Sequence, residues 1–125
     1  MQKLKFEASW DKAIAKPDRL YIEKVYKETK KSLSNNIVFS PIREAINYKN
    51  ELLVTVLVHN FTEHSLSFHK TRIFYLIEED TIAQNDFTIP AFVVPSKTSM
   101  PWTFIFPEHS LVEERPSSAG FIRLE

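Results

Sequence analysis

The 125-residue sequence contains no cysteine and only one glycine, Gly120, beside seven prolines. Without cysteine the chain forms no disulfide, has no thiolate nucleophile and offers no thiolate ligand to a metal. Loops that cradle phosphate groups need glycine, because their backbone N–H groups must approach the ligand closely. The composition therefore excludes a P-loop and a dinucleotide-binding fingerprint, and we expect no cofactor.

An excess of one charge is also missing, because 16 Lys and Arg residues are balanced by 16 Asp and Glu residues. Nucleic acid is attracted by a basic field, so we expect no nucleic-acid partner. A neutral protein repels its own copies only weakly, which leaves a homo-oligomer open. No stretch reaches the roughly 18 apolar residues of a membrane span, and the charged residues before position 20 do not resemble a signal peptide. We therefore expect no integral membrane segment.

Apolar and charged residues make up 43% and 26% of the chain, values typical of a globular domain. The sequence predicts one domain, residues 1–125, with a helical arm at 1–36 and a β-rich body at 37–125. In the arm, Ser9 is the expected cap of a short helical turn that ends at Ala13. A longer helix is predicted from Pro17, which suits a first helical residue, to Lys31.

This longer helix is amphipathic. Four apolar residues share one face at helical spacing: Tyr21, Ile22, Val25 and Tyr26. The opposite face is charged, and Glu23 and Lys27 are spaced as a favourable i,i+4 pair. The two tyrosines suit a docking patch for a partner, but packing on the body explains their spacing at least as well. The helix is expected to end at a polar cluster of Ser32, Ser34, Asn35 and Asn36.

Beyond Ile37 the apolar period changes from about four residues to two, which predicts strands. The clearest is Glu51–Asn60, whose two apolar faces are typical of a central strand, and a turn at 48–51 makes Arg43–Tyr48 its neighbour. Further strands are predicted at Leu66–Ile77, broken near Lys70; at Thr81–Ile89, after a polar turn; at Ala91–Val94, which Pro90 and Pro95 confine to an edge or a crossing between sheets; and at Met100–Phe106.

Alternation along the last of these strands indicates where the core lies. One face carries Met100, Trp102, Phe104 and Phe106, and we expect this face to be buried. Short strands with turn signals about every 8–12 residues are typical of a sandwich. The sequence thus predicts a mainly β protein, an immunoglobulin-like antiparallel β-sandwich with a short N-terminal helical arm.

Three histidines, His59, His64 and His69, recur at intervals that resemble a metal-binding pattern. Odd spacing alternates faces along a strand, and His64 falls in a predicted turn, so the three side chains do not converge. We expect solvated or strand-edge histidines and no metal site.

The sequence offers no recognisable catalytic set. No serine lies in a nucleophile elbow, which needs flanking glycines. The run Glu78–Asp80 is expected to be a solvated turn, Glu108 with His109 a loop pair, and the glycosylation-like Asn60–Thr62 another turn. Because no group combines a nucleophile, a base and an oxyanion hole, no catalytic residue is predicted and the protein is not expected to be an enzyme.

Several stretches resemble the SLAP domain of Firmicute bacteria, which is named for S-layer-associated proteins. They are Trp10–Ile14, the helix that follows, Ile37–Pro41, Ala45–Asn47, Leu52–Val58 and, most specifically, Pro101–Pro107 within the run SMPWTFIFP. The resemblance spans nearly the whole chain. Tandem copies occur in the S-layer assembly protein of the accessory secretion system, whereas this chain holds one copy.

The resemblance implies a non-enzymatic, protein-binding accessory module in protein export and in S-layer or cell-envelope assembly. Its implied partners are a secretion ATPase or surface-protein cargo. From the predicted sandwich itself, whose edge strands can accept a partner strand, we expect capture at an edge such as Ala91–Val94. The implied location is the cytoplasm or the inner face of the membrane, as a peripheral protein. Two alternatives come from other classes: a structural spacer of a larger protein at the cell surface, and a hydrolase with an unfamiliar site.

Overall fold

The computed structural model describes residues 2–31, 35–111 and 120–124. The described residues are mainly β, as the sequence predicts, and the α-helices lie near the N-terminus. The elements are β1 (Lys3–Leu4), α1 (Ala8–Ala13), α2 (Lys16–Thr29), β2 (Ile37–Ile46), β3 (Leu52–Asn60), β4 (Leu66–Ile77), β5 (Asp80–Val94), β6 (Thr98–Phe106) and β7 (Phe121–Leu124). A short 3₁₀ turn at Glu108–Ser110 follows β6.

Two sheets pack face to face. The four-stranded sheet has the order β1-β6-β3-β2 and the three-stranded sheet the order β5-β4-β7. Strand β1 runs parallel to β6, whereas the other strand pairs are antiparallel. The chain passes from one sheet to the other after β3, β5 and β6, as in Greek-key sandwiches. The predicted antiparallel sandwich is confirmed, while its immunoglobulin-like character stays a prediction.

The core lies between the inner faces of the two sheets and is rich in aromatic rings. Its largest buried side chains include Val56, Phe68, Ile73, Tyr75, Phe87, Phe92, Met100, Phe104 and Phe106. The Phe87 ring meets Phe104 and Phe106 edge-on, with centroids 5.3 and 5.2 Å away. Each such ring contributes about 1.5–3 kcal/mol of transfer free energy. The predicted core face is confirmed, although Trp102 is only half-buried.

Pro41 and Pro90 lie in the edge strands β2 and β5, where the N–H group that proline lacks is not needed, whereas Pro101 lies in β6 beyond the two residues that pair with β1. Strand β5 continues through the predicted edge segment Ala91–Val94 and is an edge strand. Pro90 lies where the register of β4 and β5 shifts. Edge strand β2 also has a register shift, after Pro41, and begins at Ile37, well before the predicted Arg43.

Tight turns form here almost without glycine. Among the described residues, four take a positive φ and none of them is glycine: Asn50 (59°), Lys70 (49°), Glu78 (58°) and Lys97 (53°). Lys70 marks the predicted break in β4. In the β2–β3 hairpin the carboxamide oxygen of Asn47 accepts hydrogen bonds from the N–H groups of Lys49 and Glu51, at 2.9 and 3.0 Å. Local polar side chains therefore stabilise reversals that glycine often supports.

The helices begin and end close to the predicted positions. The cap of α1 is Glu7 and not Ser9, because the longer glutamate side chain reaches back to accept the Ser9 N–H at 2.9 Å. Helix α2 starts one residue before Pro17 and ends at Thr29 instead of Lys31. Ser32 and Ser34 of the predicted stop signal lie outside the described residues.

Helix α2 packs on the outer face of the four-stranded sheet. Its buried side chains Ile22 and Val25 form a second apolar cluster with Leu57 of β3. The Tyr26 hydroxyl donates to the Gln2 carbonyl at 2.8 Å, whereas Tyr21 is 46% exposed. The expected packing on the body is therefore right for Tyr26 and wrong for Tyr21.

The outward face of α2 carries charged residues, among them Lys24, Lys27 and Glu28. Glu23 and Lys27 do not form the ion pair that their spacing favours. Among the described residues, no helix combines the length and the apolar character that a membrane crossing requires.

Candidate functional site

A groove of about 540 Å³ lies between the helical arm and the outer face of the four-stranded sheet. Helices α1 and α2 form one wall, β2 forms the other, and β3 with β6 forms the floor. The lining residues are Ser9, Trp10, Ala13, Ile14, Ala15, Asp18, Ile22, Ile42, Arg43, Thr55 and Thr103. A groove of this size accepts side chains of a partner or a small ligand.

A ladder of three aromatic rings holds α1 in place beside the groove. Trp10 of α1 stacks on Trp102 of β6 with centroids 6.2 Å apart, and Trp102 stacks on Phe92 of β5 at 4.5 Å. The rings therefore connect the short helix to both sheets. Because α1 has six residues and no buried side chain, this stacking is a main source of its stability.

The polar groups of the groove are already paired. The hydroxyls of Thr55 and Thr103 lie 2.7 Å apart across β3 and β6 in the floor. At the rim, Arg43 of β2 donates to Asp18 of α2 at 2.9 Å. The rim is therefore electrically neutral, and this exposed ion pair contributes at most about 1 kcal/mol.

An apolar strip continues the groove along the outer face of the sheet. Leu53 of β3 lies between Ile105 of β6 and Ala45 of β2 in the strand register. Ile105 is 45% exposed, Ala45 is exposed and Leu53 is half-buried. We define Leu53, Ile105 and Ala45 as the apolar strip. Contiguous apolar surface with a polar rim is characteristic of protein-binding sites.

A buried polar cluster surrounds His59, where α2 ends. The His59 side chain is 0% exposed, so the expectation of a solvated or strand-edge histidine is wrong at this position. Its Nδ1 lies 2.6 Å from Ser99 Oγ, and its Nε2 lies 2.8 Å from Thr29 Oγ1 and 3.1 Å from Ser40 Oγ. The ring stacks on Phe61 at 5.2 Å. The cluster thus joins α2 to three strands of one sheet.

The hydrogen bonds define one tautomer of His59. The Thr29 hydroxyl donates to the Val25 carbonyl at 2.6 Å, so its oxygen accepts from Nε2–H. Ser99 Oγ accepts from the Gln2 amide at 3.0 Å and donates its own hydrogen to Nδ1. A neutral ring satisfies every partner, whereas a second ring proton would displace the Ser99 hydrogen. Burial accordingly lowers the pKa of His59 to about 4.

The pairing of a serine with a histidine invites comparison with a nucleophile and its base. Both Ser99 and His59 are 0% exposed, so a substrate has no access to the hydroxyl. The Nε2 atom faces two hydroxyls, and no carboxylate of the described residues hydrogen-bonds to the ring. The arrangement suits locking of the arm onto the sheet.

Asn60, the glycosylation-like position, is also fully buried. Its Nδ2 donates to the carbonyls of His64, Val94 and Pro95 at 2.8, 3.0 and 3.2 Å. Its Oδ1 accepts the Thr62 N–H at 3.0 Å, which confirms the predicted turn. The amide that a glycan would need is therefore engaged with the backbone.

The other predicted positions lie on the surface and do not converge. His64 and His69 are exposed, Glu78–Asp80 forms an exposed turn as predicted, and Glu108 with His109 belongs to the 3₁₀ turn. Within residues 2–31, 35–111 and 120–124 no three carboxylate or imidazole groups are close enough to hold a metal ion.

Sequence reasoning missed the groove and the His59 cluster. Along β3, the outer-facing residues Thr55, Leu57 and His59 alternate with the core residues, so the sequence was sufficient to predict that these three share one face. The signal for their burial was the amphipathic face of α2, which had to cover some apolar surface.

Comparison with known proteins gives one match. The chain matches the family model described as the SLAP domain over residues 4–122. No curated protein and no solved structure matches it. The matched range includes both helices, the groove and the His59 cluster, and it confirms the resemblance carried by Trp10–Ile14 and Pro101–Pro107. The chain therefore belongs to the SLAP domain family.

Proposed function

We propose that this protein is a non-enzymatic, protein-binding accessory module in protein export and in S-layer or cell-envelope assembly. Membership of the SLAP family, whose name associates it with accessory secretion, supports this role. The single observation that carries the binding surface is the continuity of the groove with the apolar strip. The buried state of Ser99 and His59 supports a role without catalysis.

The composition of this surface fits a protein partner. Its centre, at Ile105, Leu53 and Thr103, carries no charged side chain, and Trp10 supplies an aromatic wall. Depletion of charge at the centre and aromatic residues beside it are features of protein interfaces. The paired Asp18 and Arg43 stand at the rim, where polar groups cost little to keep hydrated. We assign a secretion ATPase or surface-protein cargo as the partner.

The edge segment Ala91–Val94 is a second candidate surface for the same function. Val93 is 43% exposed on the edge strand β5, so an extended segment of cargo can pair with this edge. Pro90 lacks an N–H donor, and the inward residues Phe92 and Val94 are buried, which leaves a short edge for pairing. The groove and strip offer the larger apolar contact, and we therefore favour them.

Two matched variants separate these surfaces. Ile105→Lys places a charge in the strip and Val93→Lys places the same charge on the edge, and both positions are nearly half exposed, so the fold tolerates the change. Binding of each purified variant to the secretion ATPase and to an unfolded surface-protein precursor is measured by calorimetry. We expect Ile105→Lys to weaken binding at least about tenfold and Val93→Lys to leave it unchanged.

The opposite pattern would move the site to the β5 edge. If the unaltered protein bound neither the ATPase nor a precursor, the proposed function itself would be wrong. For the location, we propose the cytoplasm or the inner face of the membrane, where both partners are present before export.

A further inference from the structure

The zero net charge of the chain conceals an uneven distribution. Residues 1–36 contain nine Lys and Arg and five Asp and Glu, whereas residues 37–125 contain seven and eleven. The arm is therefore basic and the body acidic. Between residues 16 and 31 alone, six basic residues accompany three acidic ones.

The basic residues of α2 are concentrated in a line along its outward face. Lys16, Lys24 and Lys27 follow one another at spacings of eight and three residues, and Lys31 follows just beyond the helix. At about 100° per residue these positions lie opposite the buried Ile22. We call Lys16, Lys24, Lys27 and Lys31 the lysine stripe; it is roughly 22 Å long at 1.5 Å per residue.

The lysine stripe is exposed and available for a partner. All four lysines are exposed, and within the described residues no ion pair or hydrogen bond involves their ammonium groups. The carboxylates of the arm that form ion pairs are Asp11, with Arg19, and Asp18, with Arg43 of β2, and both lie away from the stripe. The arm thus presents a row of lysines that no ion pair within the described residues neutralises, although Glu23 and Glu28 lie on the same helix beside it.

Two apolar side chains accompany the charges. Leu20 is 55% exposed in the middle of the stripe, and Tyr21 is 46% exposed at its border. Helices at a lipid interface combine lysines with apolar side chains that contact the membrane. In α2 the exposed apolar side chains are Leu20 and Tyr21, because Ile22 and Val25 are buried on the sheet. The apolar residues enter the headgroup region while the ammonium groups meet the phosphates.

The choice of lysine indicates the kind of partner. Lysine is a flexible point charge, whereas bidentate recognition of one fixed phosphate or carboxylate favours arginine. Protein interfaces are depleted in lysine. We propose that the lysine stripe and Leu20 bind the surface of an anionic membrane. This binding does not depend on the protein-binding surface, which lies in the groove and the apolar strip.

Vesicle sedimentation tests this proposal with the full chain. The vesicles contain either phosphatidylglycerol mixed with phosphatidylcholine or phosphatidylcholine alone. Because each lysine strengthens binding to an anionic surface about fivefold, Lys24→Gln with Lys27→Gln is expected to reduce partitioning on the order of 25-fold. Leu20→Ser is expected to reduce it several-fold further, and added salt is expected to weaken binding of the unaltered protein.

A matched control removes the same charge from the body. Lys49→Gln with Lys70→Gln changes two exposed lysines of the body, one in the β2–β3 turn and one in β4, and is expected to alter partitioning less than about twofold. Equal losses in both double variants, or equal binding to uncharged vesicles, would overturn the proposal. Binding to soluble polyglutamate that matches vesicle binding and shows the same sensitivity to Lys24 and Lys27 would assign the stripe to an acidic protein instead.

Discussion

The buried His59 is expected to make the stability of the fold depend on pH between about 6.5 and about 4. Its pKa is about 4 in the folded protein, against an ordinary value of 6.5 in the unfolded chain. The unfolded state therefore takes up a proton that the folded state excludes. The stabilisation from a neutral His59 is complete above pH 6.5, declines as the pH falls, and is fully lost below about pH 4.

The expected loss is large enough to measure. One pKa unit corresponds to about 1.4 kcal/mol, so lowering the pH from about 7.5 to about 5 reduces the free energy of unfolding by roughly 2 kcal/mol. The cause is structural, because a proton on Nδ1 takes the acceptor site of the Ser99 hydroxyl in a cluster without a carboxylate to compensate it. Charged groups on neighbouring segments include Lys30, which follows α2 and lies beside Tyr26, and Lys97, which donates to the Phe61 carbonyl and forms an ion pair with Glu63.

Carboxylates do not account for a loss in this range. Hydrogen bonds from Ser9 and Arg72 lower the pKa values of Glu7 and Asp86 below their ordinary 4.5 and 3.8. A carboxyl group with a lowered pKa contributes stability above its ordinary value, and that contribution disappears only as the pH falls below it. The range from pH 6.5 to about 5 therefore reports on His59.

Urea denaturation followed by tryptophan fluorescence measures the effect at both pH values. His59→Gln keeps an N–H donor but does not titrate, so it starts less stable and is expected to lose almost nothing on acidification. The exposed His64→Gln is the matched control and is expected to lose as much as the unaltered protein. A pH dependence that survives in His59→Gln would refute the reasoning. Should that variant fail to fold, an NMR titration that finds the His59 ring protonated near pH 6.5 would refute it equally.

Three further substitutions test the packing, each by chemical denaturation. Phe104→Ala is expected to cost about 3–5 kcal/mol, because the ring is fully buried, whereas Ile105→Ala on the exposed strip costs less than about 1 kcal/mol; equal costs would contradict the assignment of faces. Gly120→Ala places a Cβ against the Leu76 carbonyl oxygen and is expected to cost about 1–3 kcal/mol, so an unchanged midpoint would show that β7 is not held there. Asn60→Ala leaves three backbone carbonyls without their donor, and a loss below about 1 kcal/mol would contradict that network.

The body of the fold was predictable because local patterns agree with the tertiary structure. Alternation in β3 and β6 identified the central strands, and the aromatic residues of β6 identified the core face. Pro90 and Pro95 identified an edge because proline cannot donate to a ladder. These signals depend only on neighbours along the chain.

The sites depend on contacts between distant segments and were not predictable in the same way. His59 is buried because α2, thirty residues earlier at Thr29, lies over the outer face of β3. The groove exists because Trp10 stacks on Trp102. The short strand β7 follows Gly120, whose N–H donates to the Glu44 carboxylate at 3.0 Å. A strand of four residues is too short for its apolar periodicity to predict this contact.

The raised pKa of Tyr75 also depends on a contact between distant segments. Burial, and then the neighbouring Glu44 carboxylate, raises the pKa of Tyr75 well above its ordinary value. The sequence indicated only an inward-facing aromatic residue at this position, because the partner carboxylate comes from the opposite sheet.

The most direct test of the proposed function is affinity purification of the tagged full-length protein from its native host, paired with Ile105→Lys and followed by mass spectrometry. We expect the unaltered protein to enrich a secretion ATPase or unexported surface proteins, and the variant to lose them while the protein itself is recovered equally. Recovery of only the protein itself or of cell-wall material would contradict an export role and favour a structural spacer outside the cell.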